Sequence, residues 1–330
     1  MQTPQPQRKR IKTSQDWHDY LEISRQPGQN SLTGQNLLEL RKSCYKEIEE
    51  HRQCPLLVYA TKFLEKLPPD TPNFIDISDV DGFTDLIQSI DGKKVDVLLH
   101  SPGGQADATE RIVGILRNKF DEVNFLIPHS AYSAATMLAL SGNHIILHPS
   151  AVLGPIDPQI NGVPARSIKN GFEKVKKIIA AEGPESLPAY IPLIEKYSIE
   201  LLELCNDAEE LSKNLVKEWL KKYMFKGEGN DKDKIIEEAT TFFSNYEEHL
   251  THSRPFSFDK LSSLNLKIES ASDNLLRDLL WEAYVLINGF FSVTPFVKLY
   301  ENAHGVSWGR QLQQIIVGPQ PQPQQKPRGN

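Results

Sequence analysis

Between about Pro55 and Ile160, short apolar runs alternate with stretches of helical spacing, and this alternation constrains the fold more than any other property of the chain. The runs LLVYAT, FIDI, VDVLLH, VNFLIP and HIILH are separated by segments such as ADATERIVGILRNKF. Strands that are apolar at consecutive positions suit burial on both faces, and the helical segments supply the crossovers that parallel strands require. The expectation is an α/β core, a mostly parallel sheet covered on both sides by helices. With 330 residues, 39% of them hydrophobic and 24% charged, the chain can fill one large core or two modest ones.

The flanking regions read differently. Residues 1–13 form a Gln- and Pro-rich tail, expected to be disordered, whose Arg8-Lys9-Arg10 run reads as solvated. Residues 14–54 are a helical lead-in, where Leu37, Leu40, Cys44 and Ile48 make one apolar stripe for packing or subunit contact. The α/β domain spans 55–270 and carries a helical insertion at about 171–250. Within it Ile194, Tyr197, Leu201, Leu204, Ala208, Leu211 and Leu215 alternate spacings of three and four, which predicts one long helix buried along a seam that another subunit could supply, with a ligand-binding or membrane-facing stripe as the alternative readings. Residues 271–317 are expected to be helical, and 318–330 to be an extended Pro/Gln-rich tail.

Charge and cysteine usage exclude several function classes. A net charge of -6 gives no nucleic-acid-coating surface. Cys44, Cys54 and Cys205 form no CxxC pair, so neither a zinc site nor a disulfide framework is expected, and a reducing cytoplasm fits. No metal or pyridoxal-phosphate constellation is visible, and no cofactor is expected. The N-terminus has no apolar core of a secretory signal. Ala283 to Val297 is shorter than the roughly 20 residues a bilayer demands and is interrupted by Asn288, Gly289 and Pro295.

Chemistry concentrates in two segments. In VDVLLHSPGGQADATERIVGIL a buried strand runs into Ser101-Pro102-Gly103-Gly104 and then a helix. Adjacent glycines allow close backbone approach and unusual dihedrals, so their N–H groups can face a developing negative charge; a tight turn would use the same pair. In PHSAYSAATMLALSGN, Ser133 stands among Ala131, Ala134 and Ala135 where a loop enters an apolar helix. A serine there can be a nucleophile favoured by the helix dipole or an ordinary helix cap.

Taken in order, the two segments resemble ClpP-like serine peptidases over roughly residues 55–160. In that superfamily a strand ends in SPGG and a serine opens a helix about thirty residues later. Here Tyr132-Ser133-Ala134-Ala135 occupies that place, and His148 to Ile156 is similar to the turn that follows in signal peptide peptidases. The LGPIDPQ and HLTHSRP stretches resemble more narrowly the serine dehydrogenase proteinase family. The resemblance implies a ClpP/crotonase-like spiral fold, a Ser133 nucleophile and an oxyanion hole from the N–H groups around Gly103, Gly104 and Ala134. It also implies a peptide or protein substrate, a homo-oligomer, and an ATPase or membrane-protein partner as a further option. For the base, Pro155 stands where the Clp subunit has its histidine, which leaves Lys174 (with Lys169, Lys176 and Lys177 nearby) and His252 as candidates, Asp157 orienting the latter. His249 and His252 could instead pack or cap a turn. Crotonase-type acyl-CoA chemistry and a non-catalytic peptide-binding or assembly role are the alternative readings.

Overall fold

A computed structural model describes residues 10–25, 33–195, 197–229 and 232–312. Its main sheet contains β1 (Leu56–Thr61), β2 (Lys94–His100), β3 (Glu122–Ile127), β5 (His144–Leu147), β10 (Ile268–Ser270), β11 (Phe296–Asn302) and β12 (Ser307–Gln311). The spatial order is β10-β5-β3-β2-β1-β11-β12. The first five strands run parallel, and β11 and β12 close one side antiparallel. A second sheet joins β4 (Ser130–Ala131), β6 (Val152–Leu153) and β9 (Phe256–Ser257), and β7 (Gln159–Ile160) pairs with β8 (Val163–Pro164) as a small hairpin.

Strand residues alternate between two cores. Leu57, Tyr59, Val97, Leu99, Phe125 and Ile127 pack in the core shared with α3 (Asp79–Gln88), α4 (Ala106–Lys119) and α5 (Ala134–Leu140). Their neighbours Val58, Ala60, Leu98, Leu126 and Ile146 pack on the opposite face with α1 (Ser14–Ser24), α2 (Gly34–Arg52) and α12 (Asn274–Val293). Two-sided burial of this kind is what the uninterrupted apolar runs require. The insertion consists of α6 (Ala165–Glu182), α7 (Leu187–Ile194), α8 (Ile199–Trp219), α9 (Lys232–Ser244) and α10 (Tyr246–His249), after which α11 (Phe258–Ser262) leads to β10.

Several expectations need correction. The seam starting at Ile194 is not one helix, because Ser198 begins α8 afresh, its side chain accepting the Leu201 N–H at 3.0 Å. Leu215 on that seam is buried, whereas Leu204 and Leu211 remain exposed on this chain. The FIDI run is not a strand; only Ile75 bridges, to Gly104, because the Asp76 carboxylate accepts the Ser78 N–H and turns the chain into α3. The C-terminal region is only partly helical. Pro295 stops α12, and the alternating Phe296, Lys298, Tyr300 and Val297, Leu299 pattern makes β11 and, with β12, a hairpin on the main sheet.

At the other terminus, Ile11 is buried with its N–H on the Glu282 carboxylate, and Arg10 pairs with Glu47, so the tail is anchored from residue 10 onward. Residues 1–9 and the tail at 318–330 lie outside the described residues. The apolar stretch Ala283 to Val297 is divided between the end of α12 and the start of β11, and among the described residues no helix is long and apolar enough to cross a membrane. The three cysteines are free and buried.

Candidate active site

The site forms at the carboxyl ends of β2 and β3, where open parallel sheets leave a crevice. After β2, Ser101 donates its N–H to the Ser130 carbonyl at 3.2 Å and accepts the Tyr132 N–H at 3.1 Å, which binds the SPGG loop to the segment before Ser133. Both glycines have positive φ, 97° at Gly103 and 151° at Gly104. Their reasons differ. A Cβ on Gly103 would lie 2.4 Å from the Tyr132 carbonyl oxygen and 2.6 Å from Ser133 Cβ, whereas one on Gly104 would lie 2.1 Å from the Ile75 carbonyl oxygen. The pair is thus wedged between the Ser133 turn and the segment at Ile75, a fit only glycine permits.

Ser133 has φ 52° and ψ -125°, a conformation that costs a non-glycine residue about 1–3 kcal/mol and is kept only where the surroundings enforce it. Here the Ser133 N–H is held by the Pro155 carbonyl at 3.1 Å, and the Tyr132 and Ser133 carbonyls accept from Ala135 and Met137. Although Ser133 occupies the N-cap position of α5, its side chain makes no cap hydrogen bond, so the capping explanation does not account for it. Thr136 Oγ1 donates to the Ala131 carbonyl and accepts the Gly154 N–H, locking this turn to β6.

Beside Ser133 is a cavity of about 540 Å³. Gly103, Gly104, Ala134, Met137 and His252 line it, together with Phe74 and Ile156. Ala208 and Leu211, both on the stripe singled out in the sequence, and the neighbouring Ser212 of α8 complete its wall. The Gly103 N–H is engaged by Ser101 Oγ at 3.2 Å. Ile75 bridges through the Gly103 carbonyl and the Gln105 N–H, which turns Gly104's own N–H and C=O the opposite way. Among the described residues neither the Gly104 nor the Ala134 N–H has an acceptor.

The pairing of β6 with β9 brings in His252. Leu153 pairs with Phe256, and past the ends of these two strands Asp157 and His252 come together. Leu250, at φ 63°, turns the chain into this path after α10. His252 Nδ1 lies 3.0 Å from Asp157 Oδ1, within ion-pair range but off the axis of a hydrogen bond. The Asp157 side chain is 4% exposed and that of His252 20%. His249, by contrast, is a core residue, packed on Phe242 and Phe256 with Nε2 at the Phe242 carbonyl.

The lysines fall elsewhere. Lys174 is exposed on α6 and borders a separate shallow groove with Glu173 and Lys177. Lys169 pairs with Glu209 and Lys176 with Glu173, and none of the four lines the Ser133 cavity. Among the described residues no group of three or more His, Cys, Asp or Glu is placed to hold a metal ion.

Residues 29–285 match the family model described as ClpP-like SDH-type serine proteinase. The chain belongs to that family. Its ClpP-like core is the mixed α/β fold described above, a mostly parallel central sheet with many helices. Two uncharacterised proteins of Methanocaldococcus jannaschii are similar to it. MJ1495 is 28% identical over 243 residues, 73% of this chain and 75% of that protein, and MJ0137 is 29% identical over 178 residues, 54% of each. Among solved structures, ClpP1 from Listeria monocytogenes is 12% identical with a TM-score of 0.37, covering 73% of this chain and 98% of that one. An alanine mutant of the membrane-bound stomatin-specific protease 1510-N is 15% identical with a TM-score of 0.34, covering 61% and 76%.

Proposed function

We propose that this ClpP-like proteinase hydrolyses peptide bonds with Ser133 as nucleophile, His252 as general base and Asp157 as the group that orients and balances the imidazole. The observation that carries the reading is the presence of a strained, uncapped Ser133 and His252 on one cavity, with the buried Asp157 carboxylate 3.0 Å behind the imidazole. With Nδ1 turned to Asp157, Nε2 is the nitrogen that takes the hydroxyl proton as Ser133 attacks the carbonyl carbon. It then returns that proton to the leaving amine, and water releases the acyl-enzyme by the same path.

The uncommitted N–H groups of Gly104 and Ala134 are the donors best suited to the oxyanion, since the Gly103 N–H is already engaged. Each such donor is worth about 100- to 1,000-fold in rate. The free edge of Gly104 suits an extended peptide bound through its backbone, and Phe74, Met137, Ile156 and Leu211 offer apolar contact to a substrate side chain. Assembly into a homo-oligomer belongs to this proposal.

A fluorophosphonate probe tests it. Labelling of the full-length chain that disappears in Ser133→Ala and slows in His252→Ala supports the reading; labelling that survives Ser133→Ala, or none in any assembly state, refutes it. Full acyl-CoA turnover by Ser133→Ala would point instead to crotonase-type chemistry.

A further inference from the structure

Next to the segment that bridges the glycine loop is a buried ionic cluster for which the proposed reaction has no use. Lys298, on β11, is fully buried, its ammonium 2.9 Å from Asp76 Oδ2 and 2.9 and 3.0 Å from the two oxygens of Asp79. The Tyr300 hydroxyl donates to Asp79, the Asp76 N–H donates to Asp79 at 2.7 Å, and Arg310 of β12 donates to the Ser78 carbonyl at 3.0 Å. Replacing a buried ionic triad by apolar residues is often neutral or stabilising, so stability alone is a weak reason to build one. Fixing a geometry is a better reason.

What the cluster fixes is the segment Phe74-Ile75-Asp76. Ile75 lies between Asp76 and the cavity-lining Phe74, whose ring centroid is 6.0 Å from the Lys298 ammonium. The Ile75 N–H donates to the Gly103 carbonyl at 2.6 Å, and its carbonyl accepts the Gln105 N–H at 2.8 Å. These two bonds straddle Gly104 and set the direction of its N–H. A chain of contacts therefore runs from Lys298 through Asp76 and Ile75 to Gly104, one covalent step from tether to bridge.

We propose that Lys298, Asp76 and Asp79 are positioning residues for the oxyanion loop, so that the hairpin β11–β12, which lies beyond the stretch matched by the family, is a working part of the site. The inference rests on the Ser133 reading for its catalytic consequence, but not for its structural one. Loosening the tether lets Ile75 shift against the glycines, and small displacements of an oxyanion donor slow acylation without weakening substrate binding as much.

The experiment compares the full-length chain with Asp76→Asn, Lys298→Met and Lys298→Arg. Asp76→Asn leaves the buried Lys298–Asp79 pair intact and decides the matter should Lys298→Met fail to fold. In Asp76→Asn we expect amide exchange at Ile75 and Gln105 to quicken about tenfold while β3 stays protected, so that the opening is local. The fluorophosphonate labelling rate and kcat on a peptide should fall about 10- to 100-fold with KM nearly unchanged. Lys298→Arg should retain more of the rate than Lys298→Met. Unchanged exchange at Ile75 and Gln105 in Asp76→Asn overturns the inference whatever the activity. Quickened exchange in a chain whose wild type never labels upholds the tether and sinks the Ser133 reading instead.

Discussion

Asp157 and His252 face each other across the end of the β6–β9 pair, 3.0 Å apart, although 95 positions separate them in the chain. If this pair supplies the base, Asp157→Asn and His252→Ala should each lower kcat/KM on peptides by about 1,000- to 10,000-fold. Combining them should cost no more than His252→Ala alone, because residues acting as one unit are not additive. Lys174→Ala should leave the rate unchanged, since Lys174 stands in solvent on α6 outside the cavity. Rates measured on the four proteins decide it: inactivity of Lys174→Ala beside an active His252→Ala would transfer the base to the lysine.

The two glycines of the loop should fail for different reasons than an ordinary turn glycine. Gly92 has φ 91° and open space where a Cβ would go, so Gly92→Ala meets backbone strain only, about 1 kcal/mol. Gly104→Ala adds a Cβ 2.1 Å from the Ile75 carbonyl oxygen, and Gly103→Ala one 2.6 Å from Ser133 Cβ. Urea unfolding should rank Gly92→Ala as the mildest of the three, and only the two loop variants should also lose labelling at Ser133. A Gly104→Ala protein with normal labelling would mean that the backbone approach to Ile75 is dispensable.

The sequence makes the parallel core legible because its strands are buried on both faces and therefore apolar at most positions, Asp96 and Asn124 being exceptions. Ser133 and the glycines are legible because they stand at strand-to-helix junctions in a recognisable order. The sequence offers both His252 and Lys174 and does not choose between them, since the place of His252 depends on β6 pairing with β9 across the whole helical insertion, and two-residue strands carry no periodicity. Which glycine N–H is already engaged is likewise set by side-chain and tertiary contacts, Ser101 Oγ at Gly103 and Ile75 beside Gly104, that the motif's wording does not reveal. The β11–β12 hairpin is hidden by the long apolar helix before it.

The strain at Ser133 predicts a trade of activity for stability. Only glycine adopts φ 52°, ψ -125° at little cost, and the Ser133 side chain contributes no cap hydrogen bond that its removal would sacrifice. Ser133→Gly should therefore be more stable than Ser133→Ala, by about 1 kcal/mol, with both inactive. Denaturant unfolding of the two inactive variants checks this without interference from self-cleavage. Equal stabilities would mean that the Ser133 turn relaxes in solution.

Acid should weaken the fold earlier than carboxylate titration alone would. His100 packs on Phe63 and Tyr284, His129 stacks on Tyr284, and His148 stacks on Trp281, at the carboxyl ends of β2, β3 and β5 respectively. Burial pushes the His100 imidazole down to about 3, with His129 adding to the effect, and burial with Arg277 nearby pushes His148 down to about 4, from an ordinary value of 6.5. The folded state thus holds these rings neutral while the unfolded chain protonates them. Their contribution is full above pH 6.5 and is lost progressively as the pH falls toward about 4 for His148 and about 3 for His100. Burial alone would raise the Glu301 carboxyl, but Arg41 and Ser307 hold it below its ordinary value, so its contribution begins to fade only as the pH falls into the usual carboxylate range and is lost progressively below it. Thermal unfolding should therefore begin to drop near pH 6.5, and His148→Phe, which keeps the stack on Trp281 but cannot take a proton, should flatten the upper part of that decline. A His148→Phe curve parallel to wild type between pH 6.5 and 4 would show that this histidine titrates alike in both states.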